Sequence, residues 1–175
     1  MIEECKTTLK VEIKIDPHTY RHFVNGAPMV VHCHHYSTLY TQLAIDAKET
    51  DLLAEVSAEM FYDLLIPYYR AHNIESFQDK MTLATLHFAM MGLGKMEVKY
   101  LGEYGGKVIL TRSHLDRGWM RKWGKNDRPV NFISAGCIAG MTAAIFDKPC
   151  NTFKAVEVLS MVKGDPYSEF KVMRR

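Results

Sequence analysis

With 175 residues, 47% of them hydrophobic and 24% charged, the chain has material for one packed core and little for a second. Its 22 basic and 20 acidic side chains leave a net charge of +2, which argues against a dedicated nucleic-acid or membrane-surface protein; the basic close at Lys171, Arg174 and Arg175 is too short to alter that. No apolar run reaches the roughly 20 residues of a membrane span, MIEECKTTLK lacks the apolar core of a secretion signal, and Cys5, Cys33, Cys137 and Cys150, without CxxC or CxH spacing, read as free thiols of a reducing, cytoplasmic compartment.

The first element is a strand over residues 7 to 16, where Leu9, Val11, Ile13 and Ile15 alternate with polar residues and so mark a half-buried face. Asp16-Pro17 ends it, and Asn25-Gly26 signals a turn before a short apolar run. A helix follows from His34. Tyr36, Leu39, Tyr40, Leu43, Ala44 and Ala47 fall on one stripe at helical spacing. Thr50-Asp51 reads as the cap of a second helix over 52 to 71, with Pro67 kinking or ending it. Ser76 caps a third helix running to Met91, stopped by Gly92 and Gly94.

The period then changes. Residues 96 to 101 and 107 to 113, joined by Glu103-Tyr104-Gly105-Gly106, read as a β-hairpin. Residues 113 to 124 are a short helix or an ordered loop. Residues 130 to 146 form a buried helix rich in small side chains. Strands over 152 to 162 and 167 to 173, joined by Lys163-Gly164-Asp165-Pro166, close the chain. Hairpins imply antiparallel pairing, so the expected class is α+β: one domain, an antiparallel sheet with helices packed against it.

The closing stretch carries a resemblance. The small-residue helix with Gly136-Cys137-Ile138-Ala139-Gly140, the strand with Glu157, Gly164-Asp165-Pro166-Tyr167 and the last strand with Phe170 resemble the vinyl-4-reductase domain. That domain is related to sensor modules of phenol- and toluene-responsive regulators and to subunits of the TRAPP tethering complex. The match covers residues 130 to 173. It implies an apolar ligand pocket and a homodimer. Several members hold a structural zinc through three Cys and one Glu. Here the Glu is Glu157, but the aligned cysteine positions are Ser134, Ser160 and Ser168. Serine hydroxyls are poor zinc ligands, so the resemblance brings the scaffold and not the zinc, and Glu157 is expected in hydrogen bonds or a salt bridge.

The densest group of chemically capable side chains is His32-Cys33-His34-His35-Tyr36, at a strand-to-helix junction. His32 and His34, two apart, share a face of an extended segment and can chelate one ion, with His35 beside them. The other reading is a polar junction whose histidines cap the helix and bond backbone. His87 stands in an almost wholly apolar helix, either as a satisfied core histidine or as the polar group that orients a ligand in an apolar pocket. His114 and Trp119 follow a strand directly and either close a pocket or anchor a surface loop. Tyr36 and Met90 join them as candidate ligand contacts, since eleven methionines suit a pocket that adapts to its contents. Glu55, Glu59 and Asp63 share one helix face, a solvated surface unless Glu59 completes a metal site with the histidines.

These features leave two functions open. One is a homodimeric domain that binds a small apolar or aromatic molecule, with His87 or His114 fixing its polar group. The other is a metal-dependent enzyme that uses His32, His34 and His35 to hold a transition metal. A tethering or assembly subunit is a third reading, on fold analogy alone.

Overall fold

In the computed structural model, which describes residues 11–30 and 32–175, the chain opens with three short antiparallel strands. These are β1 (Ile13–Ile15), β2 (His22–Val24) and β3 (Ala27–Met29), hydrogen-bonded in that order. Asn25 and Gly26 make the turn between β2 and β3, with φ of 49° and 82°, the double left-handed conformation that Asn-Gly tolerates best. Residues 7 to 10 of the strand expected over 7 to 16 lie outside the described residues. Its remaining part departs from the alternation. Ile13 and Ile15 are exposed, because β1 is the edge of the small sheet and Val24 on β2 provides the buried contact.

Three helices follow: α1 (His34–Ala47), α2 (Thr50–Ala71) and α3 (Phe77–Met90). Ser76 caps α3 by accepting a hydrogen bond from the Asp79 N–H at 3.0 Å. Two expectations need correction. Helix α2 starts at Thr50 after Glu49 with no side-chain cap, and Pro67 sits on its exposed side without ending it. The apolar stripe of α1 faces outward. Tyr36, Leu39, Tyr40 and Leu43 are exposed, while Ser37, Thr38 and Thr41 are buried. The buried face packs closely on a glycine of the neighbouring helix, Gly118, where an added Cβ would meet the His34 and Thr38 side chains. Thr38 and Thr41 return their hydroxyls to the carbonyls of His34 and Ser37.

The second half forms a four-stranded antiparallel sheet from β4 (Gly94–Gly102), β5 (Gly105–Ser113), β6 (Phe153–Leu159) and β7 (Ser168–Arg174), in the order β4-β5-β7-β6. Between β5 and β6 lie α4 (His114–Trp123) and α5 (Phe132–Ile145). Every residue of α5 from Ser134 to Ile145 is buried. One side of it meets α2, and the other meets Phe153 and Ala155 of β6 and Phe170 and Val172 of β7. This is the α+β arrangement expected.

Gly136 and Gly140 set the α2–α5 distance. A Cβ on either would drive into the backbone of Ala54 or Ala58 on α2. In a free helix, Gly→Ala gains about 1 kcal/mol. At Gly140 we expect Gly140→Ala to lose about 1–3 kcal/mol by overpacking. Urea denaturation measures it, and a variant as stable as the wild type contradicts the packing account.

Candidate ligand cavity and buried carboxyl pair

Small side chains held backbone to backbone leave a smooth hollow beside them. A cavity of about 740 Å³ opens between α2, the first half of α5 and the edge strand β6. Ala54 and Ala58 from α2 and Ala135, Gly136 and Ala139 from α5 form its floor, with Phe132 and Phe153 on the walls. Glu55, Glu59, Arg128, Lys154 and Arg175 stand around it, and Cys150 also lines it. Burial, then the Glu59 and Asp63 carboxylates, push the Cys150 thiol above its ordinary value.

Asn131 and Glu157 also line the cavity. Asn131 caps α5, its side-chain oxygen accepting from the Ser134 N–H at 3.2 Å. Its amide nitrogen donates to Asp116 Oδ2 at 3.0 Å and to Ser113 Oγ at 3.1 Å, and its backbone N–H donates to Glu157 Oε2 at 3.1 Å. Ser113 in turn caps α4, accepting from the Asp116 N–H. The Ser168 hydroxyl donates to Asp116 Oδ2 at 3.0 Å and accepts from the Met161 N–H. A β-bulge after Glu157, where Leu159 rather than Val158 pairs with Glu169, lies beside this network.

Asp116 and Glu157 are both buried. Burial pushes Glu157 up to about 7, the Asp116 charge adds to the rise, and the Ser160 and Ser168 hydroxyls and the Asn131 N–H hold part of it back. Burial raises Asp116 too, against the hydrogen bonds from Ser113, Ser168 and Asn131. Asp116 Oδ1, Glu157 Oε1 and Ser134 Oγ are out of water without a partner, and the Ser160 hydroxyl stands near Glu157 without closing a hydrogen bond.

This is where the resemblance implies a zinc, and the donors do not fit one. Zinc takes thiolate, imidazole or carboxylate. Ser134, Ser160 and Ser168 offer hydroxyls, and Ser168 already commits its hydrogen to Asp116. Glu157 accepts a hydrogen bond from backbone and forms no ion pair among the described residues.

The residues singled out in the sequence are placed elsewhere. His87 is fully buried, its Nδ1–H donating to the Leu83 carbonyl at 3.1 Å and its Nε2 accepting from Asn25 at 2.6 Å. Burial holds it below the ordinary histidine value. His34 and His35 rings lie 4.2 Å apart and His114 stands 5.8 Å from His34, across a contact opened by Gly118. Burial of His34, then the nearby His35, Arg121 and His114, lower its pKa. His32 packs instead on Tyr36 and Tyr40. Trp119 packs with Trp123, Val130 and Val162, while Tyr36 and Met90 are exposed. None of His32, His34, His35, Tyr36, His87, Met90, His114 or Trp119 lines the cavity, and Glu59, which does, is not joined there by any of the histidines at 32 to 35. Among the described residues no three His, Cys, Asp or Glu side chains are grouped to hold a metal ion.

No known sequence family matches the chain, and neither does any curated protein. Solved structures do. The phenol-responsive sensory domain of the transcription activator PoxR, crystallised with phenol, is similar over 93% of this chain and 84% of that one, at 12% identity and a TM-score of 0.78. A vinyl-4-reductase family protein from Methanocaldococcus jannaschii is similar over 70% of this chain and 68% of its own, at 20% identity and a TM-score of 0.52. The chain has the vinyl-4-reductase fold. The same fold extends to a trafficking protein particle complex subunit 3 from Naegleria fowleri, covalently bound to palmitic acid, at 16% identity, 81% and 91% coverage and a TM-score of 0.54. No helix among the described residues is long and apolar enough to cross a membrane.

Asn131 joins three elements through one side chain. Asn131→Ala removes a helix cap and leaves Asp116 short of a donor, so we expect a loss of about 2–4 kcal/mol, with the far-ultraviolet spectrum retained. Denaturant titration reads it, and a loss of a few tenths would mean that the network carries no stability.

Proposed function

We propose that this domain binds a small, largely apolar or aromatic molecule in the cavity between α2, α5 and β6. The cavity itself carries the reading. At about 740 Å³ it has the size of a small-molecule site, and its floor is alanine and glycine with two phenylalanines beside it. A few polar groups in its lining, Asn131 and Glu157, give a ligand hydroxyl or amine something to meet. Two fold neighbours whose structures contain phenol and palmitic acid support an apolar occupant. The metal-dependent enzyme reading has no three-ligand group among the described residues to support it.

A panel of phenol, alkylphenols and saturated fatty acids, screened by thermal shift and calorimetry, tests the proposal. Ala139→Phe puts a ring on the cavity floor. We expect one ligand class to raise the melting temperature of the wild type and to lose at least tenfold in affinity, about 1.4 kcal/mol, in that variant. Equal binding by both proteins would move the ligand away from this cavity.

The outward stripe of α1 supports a second copy as partner. Tyr36, Leu39, Tyr40 and Leu43 make an exposed apolar ridge at helical spacing, the kind of surface an isologous dimer covers. Solution mass should give a dimer for the wild type and a monomer for Leu39→Asp with Leu43→Asp. A strict monomer of the wild type removes this part of the reading.

A further inference from the structure

Two carboxyl groups lie in one buried cluster, and among the described residues neither forms an ion pair. Asp116 is 0% exposed and Glu157 8%, and Asn131 bonds to both. The groups facing them are neutral: Ser113 at the head of α4, Asn131 and Ser134 on α5, Ser160 after β6 and Ser168 on β7. Asp165, which accepts the Ser160 N–H at 2.8 Å, adds a further negative charge, and Arg112 and Arg117 line a surface hollow with Ser113 without an ion pair to either carboxyl. Arg128, Lys154 and Arg175 stand around the same cavity as Glu157 and pair elsewhere or not at all with it.

Ionised carboxylates only accept hydrogen bonds, and two of them buried side by side repel. Asp116 Oδ1 and Glu157 Oε1 are the two oxygens of the pair that lack a donor. One added proton halves the charge of the pair and leaves a single ionised carboxylate in the cluster. We infer that Asp116 and Glu157 share a single proton at neutral pH, and that this proton, rather than a metal ion, neutralises the cluster joining α4, α5, β6 and β7. Glu157 is the better holder. Its Oε2 takes the Asn131 N–H, and the Asp116 charge adds to its burial, whereas Asp116 Oδ2 takes hydrogen bonds from the Asn131 amide and the Ser168 hydroxyl that favour the ionised form. The inference concerns the unliganded protein and its test is run without ligand, because Glu157 is also a group that a ligand hydroxyl or amine would meet.

The direction with pH follows. An acid raised on folding carries stability that is present below the ordinary carboxylate range and lost as pH rises to about 7, the value burial gives Glu157, with no further change above. Glutamine has the shape of protonated glutamate. Its oxygen accepts the Asn131 N–H and its amide donates where the shared proton does. Melting temperatures of the full chain and of Glu157→Gln, measured from pH 5 to pH 8, test the inference, with metal analysis and EDTA treatment of both. His34 and His87 titrate in both proteins and cancel in the difference. We expect matching melting temperatures at pH 5, a Gln variant several degrees above the wild type at pH 8, and a wild type whose melting EDTA leaves unchanged. About one equivalent of metal, lost together with stability in Glu157→Gln, would overturn the inference in favour of a cation. So would a Gln variant that tracks the wild type at every pH. Asp116→Asn repeats the test from the other side of the pair, and both variants melting below the wild type at pH 8 also overturns it.

Discussion

The approach of α5 to α2 governs this structure. Gly136 and Gly140, one turn apart, let the backbones of two helices touch where any Cβ would collide with Ala54 or Ala58. That contact buries α5 along nearly its whole length and lets the sheet close over its other side. It also makes the cavity. Residues small enough for two helices to meet are too small to fill the space beside them, so Ala54, Ala58, Ala135 and Ala139 become a floor as well as a seam. Packing and binding capacity thus come from one choice of side chains.

The polar network that Asn131 and Glu157 share with the cavity is organised differently. There the helix N-termini of α4 and α5 come together, each capped by a side chain, and Ser113 and Asn131 bond to each other as well as to their own helices. Asp116 and Glu157 sit between the two caps. Buried carboxyls are tolerable beside helix N-termini, where the backbone offers unpaired N–H groups and a positive end. Serines in place of thiols leave this junction to hydrogen bonds. A metal would need neither caps nor a protonated acid to satisfy its ligands. The network proposed here uses both.

Much of the fold was legible in the sequence. Ser76 announced α3, the Asn25-Gly26 pair announced its turn, and the hairpins and the small-residue helix fell within a few residues of their predicted places. Periodicity, however, marks a face and not the side it turns to. The stripe from Tyr36 to Leu43 was regular enough to look like a core, yet the structure hides Ser37, Thr38 and Thr41 instead, with His34 and Thr38 set closely against Gly118 of α4. The site was less legible. Asn131 bonds residues 15, 18 and 26 positions away, and Ser168 reaches Asp116 across 52, so no local spacing reveals them. An Asn just before a small-residue helix was the available signal, as a cap. The histidines drew attention for their density along the chain, but in space they divide between the tyrosines of α1 and the α1–α4 contact.

Cys150 gives the most direct test of the central claim, that a ligand occupies the space between α2, α5 and β6. It lines that cavity, while Cys33 is exposed on another part of the chain and serves as the control. Alkylation by iodoacetamide, followed peptide by peptide with the best-stabilising molecule of the phenol and fatty-acid panel at saturation, reads occupancy at the site. The account predicts that Cys150 is protected at least several-fold while Cys33 reacts at its unliganded rate. Unchanged alkylation of Cys150 at full saturation would contradict it.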